Sequence, residues 1–195
     1  MSNIESILDF NKEFVSSKGY EAYRTDRYPD KKIVIVTCMD TRLTLLLPKA
    51  MNLGNGDAKI IKVAGAVVAH PFGSVMRSIL IAIYSLHAEE IFVVGHHDCG
   101  MTGMAPNDIL SAARSAGIPE STLHTLAHAG IDLNGWLTGF DSPAAGVKAS
   151  VEMIRDHPLL PDRVTVHGML IHPVTGQLDL LSDGREAGSN APELF

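Results

Sequence analysis

Long apolar runs are missing from this sequence of 195 residues. None approaches the length of about 20 residues that a helix needs to cross a membrane, and the first residues lack the basic start and apolar core of a signal peptide. Basic side chains are also scarce, because 16 Lys and Arg stand against 22 Asp and Glu and give a net charge of −6. This charge composition gives no indication of a basic surface that would bind nucleic acid or anionic lipid. We therefore expect a cytoplasmic protein without a membrane or nucleic-acid partner.

Cysteine is rarer still, with two residues in the whole chain, Cys38 and Cys99. They lie too far apart in sequence for a Cys-x-x-Cys redox pair or a zinc ribbon, and a disulfide is disfavoured in a cytosolic protein. A lone buried cysteine is most often a small apolar side chain. Here, however, each cysteine stands where a strongly apolar run ends, since Cys38 follows residues 33–37 and Cys99 comes shortly after residues 91–95. This placement is typical of active-site groups.

The segments around the two cysteines are rich in metal-binding and charged side chains. They read Cys-Met-Asp-Thr-Arg at residues 38–42 and His-His-Asp-Cys-Gly at residues 96–100. The spacing His-x-x-Cys lets a turn beyond a strand place an imidazole and a thiolate on one ion, and two sulfurs, one nitrogen and an open fourth position make a catalytic zinc site. By spacing alone, either His96 or His97 could supply the nitrogen. An Asp-x-Arg pair standing alone is more often a surface ion pair.

Hydrophobic residues make up 46% of the chain and charged residues 19%, which is the composition of a globular protein and excludes general disorder. An amphipathic pattern predicts an N-terminal helix over about residues 2–17. Further helices are predicted over residues 43–51, 74–87, 107–116, 120–127 and 143–157, with Ser74 and Ser142 as N-caps, although Pro48 restricts the first of these. Strands are predicted over residues 33–37, 59–63, 90–94, 164–171 and 178–181, the last two joined as a hairpin.

Apolar strands that alternate with helices favour an α/β fold with a mainly parallel central sheet flanked by helices, here with a C-terminal strand hairpin. We expect one domain over residues 1–195 whose tail after about residue 182 is poorly ordered. In such sheets, ligands collect beyond the carboxyl ends of the strands. Cys38 and the turn at residues 96–99 both lie there, so the two halves of the proposed metal site meet if the first and third strands are neighbours.

These motifs resemble those of the β-class carbonic anhydrases, which also carry Cys-x-Asp-x-Arg followed by His-x-x-Cys. The resemblance extends over about residues 30–182 and is greatest to the compact, prokaryotic branch of the family. Further matching segments are Lys-Val-Ala-Gly-Ala at 62–66, Arg-Ser at 77–78, His-Pro-Leu-Leu-Pro at 157–161 and Val-His-Gly at 166–168.

The resemblance implies that Cys38, His96 and Cys99 bind Zn²⁺. It implies that Asp40 either accepts a hydrogen bond from the zinc-bound water or hydroxide or, in a closed state, takes the fourth coordination site, and that Arg42 holds Asp40 off the metal. The implied activity is the reversible hydration of carbon dioxide to bicarbonate by zinc-bound hydroxide, since zinc lowers the pKa of its water to about 7. The chain is then a zinc lyase.

The sequence departs from the family at Val63, where many members have Asn, and no Gln lining the substrate pocket can be identified. Two alternatives stay open: hydrolysis of carbon disulfide or carbonyl sulfide on the same scaffold, and a non-catalytic zinc-binding module with Asp40 permanently on the metal. The tail from residue 182 is too polar to seal a sulfur-selective tunnel, which favours carbon dioxide. Family members build their active sites against a partner subunit, so we expect a homodimer or a multiple of dimers, with the helix at about 2–17 as a clasp.

Overall fold

The computed structural model describes residues 2–186, which contain a five-stranded sheet with the strand order β2-β1-β3-β4-β5. The strands are β1 Ile33–Cys38, β2 Ala58–Val63, β3 Glu90–His96, β4 Thr165–Ile171 and β5 Leu178–Ser182. The first four run parallel, and β5 pairs antiparallel with β4. The predicted mainly parallel sheet with a C-terminal hairpin is confirmed.

Seven α-helices accompany the strands within the described part of the chain. They are α1 Asn3–Ser16, α2 Leu43–Ala50, α3 Ser74–Leu86, α4 Pro106–Ser115, α5 Glu120–His128, α6 Leu133–Leu137 and α7 Pro143–Arg155. The pattern of apolar residues predicts all of them except α6, whose five residues are too few to show a helical period. No helix among residues 2–186 has the length and apolar character that spanning a bilayer requires.

The interior strand β1 is buried at all six positions, as expected for a strand that is covered on both faces. Val34 and Val36 belong to a core cluster that includes α3 and α7, whereas Ile33 and Ile35 belong to a second cluster that includes α2. Alternate side chains of one strand thus hold helices on opposite faces of the sheet. The strand itself is thereby fixed in position, and so is the residue with which it ends.

Three sequence predictions about element ends are wrong, the first being the end of α7, which is predicted at residue 157 and lies at Arg155. Ser74 is the first residue of α3 and not its N-cap; Gly73 holds the cap position with extended backbone, and the Ser74 carbonyl accepts a hydrogen bond from the Ser78 hydroxyl. Strand β3 does not end at residue 94 but continues to His96, because β4 offers partners as far as Ile171. By contrast, Ser142 caps α7 as predicted.

Pro48 is tolerated inside α2 because this helix is only eight residues long. Proline cannot donate a hydrogen bond within the helix, so it shortens the run of regular bonds. The helix ends two residues later, and the Pro48 carbonyl accepts from the Leu53 amide at 2.8 Å. This compact helix starts directly after the charged segment at residues 40–42.

The N-terminal helix α1 is capped by Ser2, which exchanges hydrogen bonds with Glu5 in a capping box. None of its residues is buried in this chain, and Ile7, Leu8 and Phe10 are 53 to 68% exposed. At the other end, the Gly184 amide donates to His167 Nδ1 at 3.2 Å. Residues 187–195, the remainder of the tail whose poor order is predicted from sequence, lie outside the described residues.

Candidate metal centre

The two cysteines and one histidine of the sequence motifs meet at the carboxyl-end edge of the sheet. Cys38 is the last residue of β1, His96 is the last residue of β3, and Cys99 follows three residues later. Strands β1 and β3 are hydrogen-bonded neighbours, as the sequence argument required. The Cys38 and Cys99 sulfurs and a ring nitrogen of His96 all lie within 4.8 Å of one another, which is close enough to share one metal ion.

The His96 ring is buried and its hydrogen-bonding pattern leaves one nitrogen ready for a metal. Its Nδ1 lies 2.8 Å from the His97 carbonyl oxygen, which can only accept, so Nδ1 carries the proton. Its Nε2 then presents a lone pair, yet it is buried without a hydrogen-bond partner among the described residues. An orphaned polar atom is costly in a protein interior. A cation between this nitrogen and the two sulfurs would remove that cost.

The sulfur atoms are surrounded by backbone amides and apolar groups. The Gly65 amide donates to Cys38 Sγ at 3.3 Å. Burial raises the pKa of the Cys99 thiol, and the neighbouring Cys38 thiol raises it further. Two ionised thiols side by side in this setting need a compensating positive charge, which coordination to a metal ion supplies.

Gly65 brings its amide to the site through an unusual backbone conformation. Its φ is +66°, in the left-handed region that favours glycine. A Cβ built at this position would lie 2.7 Å from a ring carbon of Phe140 and 3.0 Å from Met101 Cγ. Both conformation and space therefore require glycine in the turn after β2.

A charged network borders the cluster on the solvent side. The Arg42 guanidinium donates to both carboxylate oxygens of Asp40, with Nη2 to Oδ2 at 2.8 Å and Nε to Oδ1 at 3.1 Å. These bonds lower the pKa of Asp40 to about 2, and Asp40 in turn raises the pKa of Arg42. Asp40 Oδ2 lies 3.8 Å from His96 Nε2. An ionised carboxylate therefore stands beside the cluster at neutral pH, held by two-point contact with arginine.

These groups open into a pocket of about 630 Å³. Its lining residues are Cys38, Met39, Asp40, Thr41, Arg42, Ala64, Gly65, His96, Cys99, Gly100, Met101 and Met104. The pocket combines the metal-binding cluster, one ion pair and several apolar side chains in a single space. This is the composition expected of a site for a small ligand.

His97, the other imidazole that the spacing allowed, lies outside the cluster. Its Nε2 is 3.6 Å from Asp179 Oδ2, and its side chain is 47% exposed. Sequence reasoning missed Asp98, which lies in the motif yet also bonds to Arg42. No sequence signal links Asp98 to Arg42, because the two are 56 residues apart.

The family model described as carbonic anhydrase matches residues 33–179 of this chain. The chain belongs to the β-carbonic anhydrase family. Among its relatives, the candidate carbonic anhydrase YvdA of Bacillus subtilis is 59% identical over 186 residues, covering 95% of this chain and 94% of the relative. The β-carbonic anhydrase isoform I of Trichomonas vaginalis has the same fold, with a TM-score of 0.86, 34% identity and coverage of 94% of this chain and all of that one.

The β-carbonic anhydrase family also includes relatives with another named activity. The carbon disulfide hydrolase of Acidithiobacillus thiooxidans is 27% identical over 178 residues, covering 85% of each chain. Family membership therefore identifies the scaffold and the kind of enzyme. The substrate needs a separate argument.

Proposed function

We propose that this protein is a zinc enzyme that catalyses the reversible hydration of carbon dioxide to bicarbonate. The observation that carries the proposal is the cluster of Cys38, His96 and Cys99, whose ligand atoms lie within 4.8 Å of one another, beside the Asp40 carboxylate. Membership of the β-carbonic anhydrase family supports it.

The ligand set suits zinc in a catalytic site. Two cysteine sulfurs and one imidazole nitrogen are zinc ligands in proteins, and three protein ligands leave one position for water or substrate. A zinc ion held here would lower the pKa of its bound water to about 7 and so supply a hydroxide nucleophile at neutral pH. The unpartnered His96 Nε2 and the adjacent Cys38 and Cys99 sulfurs are the groups that would hold it.

Asp40 would orient the attacking water. An ionised carboxylate only accepts hydrogen bonds, so it fixes the direction of a donated proton and leaves a lone pair pointing toward the substrate. Arg42 keeps this carboxylate ionised and in place through its planar fork, a geometry that lysine does not offer. The apolar walls of the pocket, including Ala64 and Met104, suit a small nonpolar molecule such as carbon dioxide.

The hydrogen bonds of Asp40 favour an enzyme over a non-catalytic zinc module. Both of its carboxylate oxygens accept from Arg42, and Oδ1 also accepts from the Arg42 backbone amide at 2.8 Å. Binding of Asp40 to the metal as a fourth protein ligand would break part of this set. The arrangement therefore keeps the fourth position available for chemistry.

Hydrolysis of carbon disulfide or carbonyl sulfide is the competing activity, and a relative at 27% identity is named carbon disulfide hydrolase. A site specialised for carbon disulfide should enclose the metal in apolar surface. Here the pocket is lined on one side by the ion pair of Asp40 and Arg42. This polar wall favours carbon dioxide.

A side-by-side rate measurement tests the proposal. Stopped-flow hydration of carbon dioxide by the zinc-loaded protein should far exceed hydrogen sulfide release from carbon disulfide or carbonyl sulfide under the same conditions. The Cys99→Ser variant and the chelator-stripped protein serve as controls for background rates. The reverse ranking would overturn the substrate assignment, and absence of all three activities in fully zinc-loaded protein would overturn the enzyme assignment.

We infer that the enzyme works as a homodimer or a multiple of dimers, with α1 as the clasp. The exposed apolar side chains of α1 support this, because a stripe of that kind needs a partner surface. Replacing Leu8 by Gln should weaken association about tenfold or more, since a buried Leu contributes roughly 1.5–3 kcal/mol. Sedimentation of Leu8→Gln against the control Asp9→Asn measures it, and a fully active wild-type monomer at assay concentrations contradicts the inference.

A further inference from the structure

Asp98 occupies a special place between two of the metal-binding residues. It lies in the turn that connects His96 to Cys99, and its backbone φ is +55°, in the left-handed region. Aspartate adopts this conformation more readily than most residues. Its side chain is 85% exposed and packs into neither core cluster. Packing therefore gives no reason for a carboxylate at this position.

The contacts of Asp98 are with Arg42, the residue that holds Asp40. Arg42 Nη1 donates to Asp98 Oδ2 at 2.9 Å, and Arg42 Nη2 donates to the Asp98 carbonyl oxygen at 3.0 Å. The other edge of the same guanidinium, Nε and Nη2, serves Asp40. The planar group is thus held at both edges, by one carboxylate on each side.

The two edges connect different parts of the chain. Asp40 and Arg42 are two residues apart in the segment between β1 and α2, so their pair alone is local and could move as a unit toward the metal-binding cluster. Asp98 follows β3, and its bond to Arg42 spans 56 residues of sequence. It fixes the guanidinium to the part of the chain that carries His96 and Cys99.

We propose that Asp98 is a positioning residue that anchors Arg42 and thereby keeps the Asp40 carboxylate off the metal. This inference rests on the proposed zinc chemistry. It assigns to Asp98 the balance between a state with the fourth metal position open and a state in which Asp40 fills that position. Asp98 acts through Arg42 and does not itself touch the metal cluster.

The effect should be a population shift and not an all-or-none loss. An exposed ion pair is weak, and the Arg42 bond to the Asp98 backbone carbonyl survives any side-chain substitution. If loss of the carboxylate reduces the open state to about one third of its wild-type population, the apparent affinity of any ligand for the fourth position falls about threefold. Metal content should not change, because the three ligands are untouched.

Thiocyanate binding to the cobalt-substituted protein tests this directly, since the probe needs an open metal position and its binding alters the visible spectrum. The variant of choice is Asp98→Gly, because glycine accepts a positive φ without strain. We expect full cobalt content and about threefold weaker thiocyanate binding. Glu120→Gln is the matched control: it removes one negative charge from an exposed ion pair with Arg114, outside the pocket, and should bind thiocyanate like the wild type.

Two further variants sharpen the test. Asp98→Asn keeps a hydrogen-bond acceptor without the charge, so its thiocyanate affinity should fall between those of the wild type and Asp98→Gly. This variant also provides the test if the glycine variant does not fold. In an Asp40→Asn background, Asp98→Gly should have no further effect, because asparagine is a poor replacement for the carboxylate ligand. The proposal is overturned if the thiocyanate affinity is unchanged in both Asp98→Gly and Asp98→Asn, or if either variant loses cobalt. It is also overturned if Asp98→Gly weakens thiocyanate binding in the Asp40→Asn background as much as it does in the wild type.

The measurement does not depend on the reaction that the enzyme catalyses. If the zinc-loaded wild type fails to hydrate carbon dioxide, the proposed function fails, while thiocyanate binding still reports the state of the fourth position. If hydration is fast and the thiocyanate affinities of wild type and Asp98→Gly agree, the role of Asp98 alone is wrong.

Discussion

The metal-binding cluster and the charged network beside it differ sharply in their exposure to solvent. Cys38, His96 and Cys99 are 1 to 6% exposed, whereas the side chains of Arg42 and Asp98 are 39% and 85% exposed. Cys38 and His96 are placed by the ends of two neighbouring strands, which the core fixes from both faces of the sheet, and buried Cys99 lies in the short turn that follows β3. The network is placed by hydrogen bonds between surface segments.

This difference indicates that metal retention and turnover are governed by separate parts of the site. The buried ligands have no alternative positions without disrupting the core. Exposed ion pairs are individually weak and can rearrange. Changes in the cluster should therefore remove the metal, and changes in the network should alter activity while the metal stays.

The largest effects are expected for the ligands themselves. Cys38→Ser, His96→Ala and Cys99→Ser should each lose most of the zinc, and carbon dioxide hydration should fall by about a thousandfold or more, because a metal site with two remaining ligands binds weakly. Metal analysis and stopped-flow hydration measure the two quantities. Full zinc content and normal turnover in Cys99→Ser would contradict the assignment of this cluster.

A smaller effect with a different signature is expected for Arg42→Ala. Without the guanidinium, Asp40 is free to bind the metal, so zinc should be retained while turnover falls by roughly 10- to 100-fold. Arg42→Lys is the matched control, because lysine keeps the positive charge but lacks the planar guanidinium. Its turnover should lie between those of the wild type and Arg42→Ala. Wild-type activity of Arg42→Ala across about pH 6 to 9 would show that the ion pair has no role in the mechanism.

Much of the cluster could be predicted from sequence because it depends on simple rules. Apolar runs mark buried parallel strands, and residues at their carboxyl ends meet at one edge of the sheet. The pairing of Arg42 with Asp98 could not be predicted, since it depends on how a long side chain crosses between two turns. The sequence also does not predict the last two residues of β3, because pairing with β4 keeps them in the strand and no local propensity of their own does so.

Gly65 lies beside the metal-binding cluster and should show an intermediate effect. Gly65→Ala places a methyl group 2.7 Å from a ring carbon of Phe140 in a backbone conformation with φ +66°. We expect destabilisation of about 2–4 kcal/mol together with weaker zinc binding, since the amide that donates to Cys38 Sγ must shift.

Thermal unfolding and zinc titration test this against Gly117→Ala. Gly117 also has a positive φ, of +97°, but a Cβ there meets no atom within 4 Å. The control therefore carries the backbone strain without the clash. Equal losses of stability in the two variants would show that conformation alone, and not the close packing at Gly65, requires glycine beside the cluster.

The smallest effect is expected for His97→Ala, which separates two adjacent imidazoles. The contribution of His97 to the cluster is its backbone carbonyl, which accepts from His96 Nδ1 at 2.8 Å, and alanine retains that carbonyl. Its side chain faces Asp179 at 3.6 Å and is half exposed, so its loss should leave zinc content unchanged and turnover within about twofold of wild type. Metal analysis of His97→Ala beside His96→Ala decides the matter. If His97→Ala loses the metal while His96→Ala keeps it, the nitrogen ligand is the neighbouring residue, and the cluster assigned to Cys38, His96 and Cys99 is wrong.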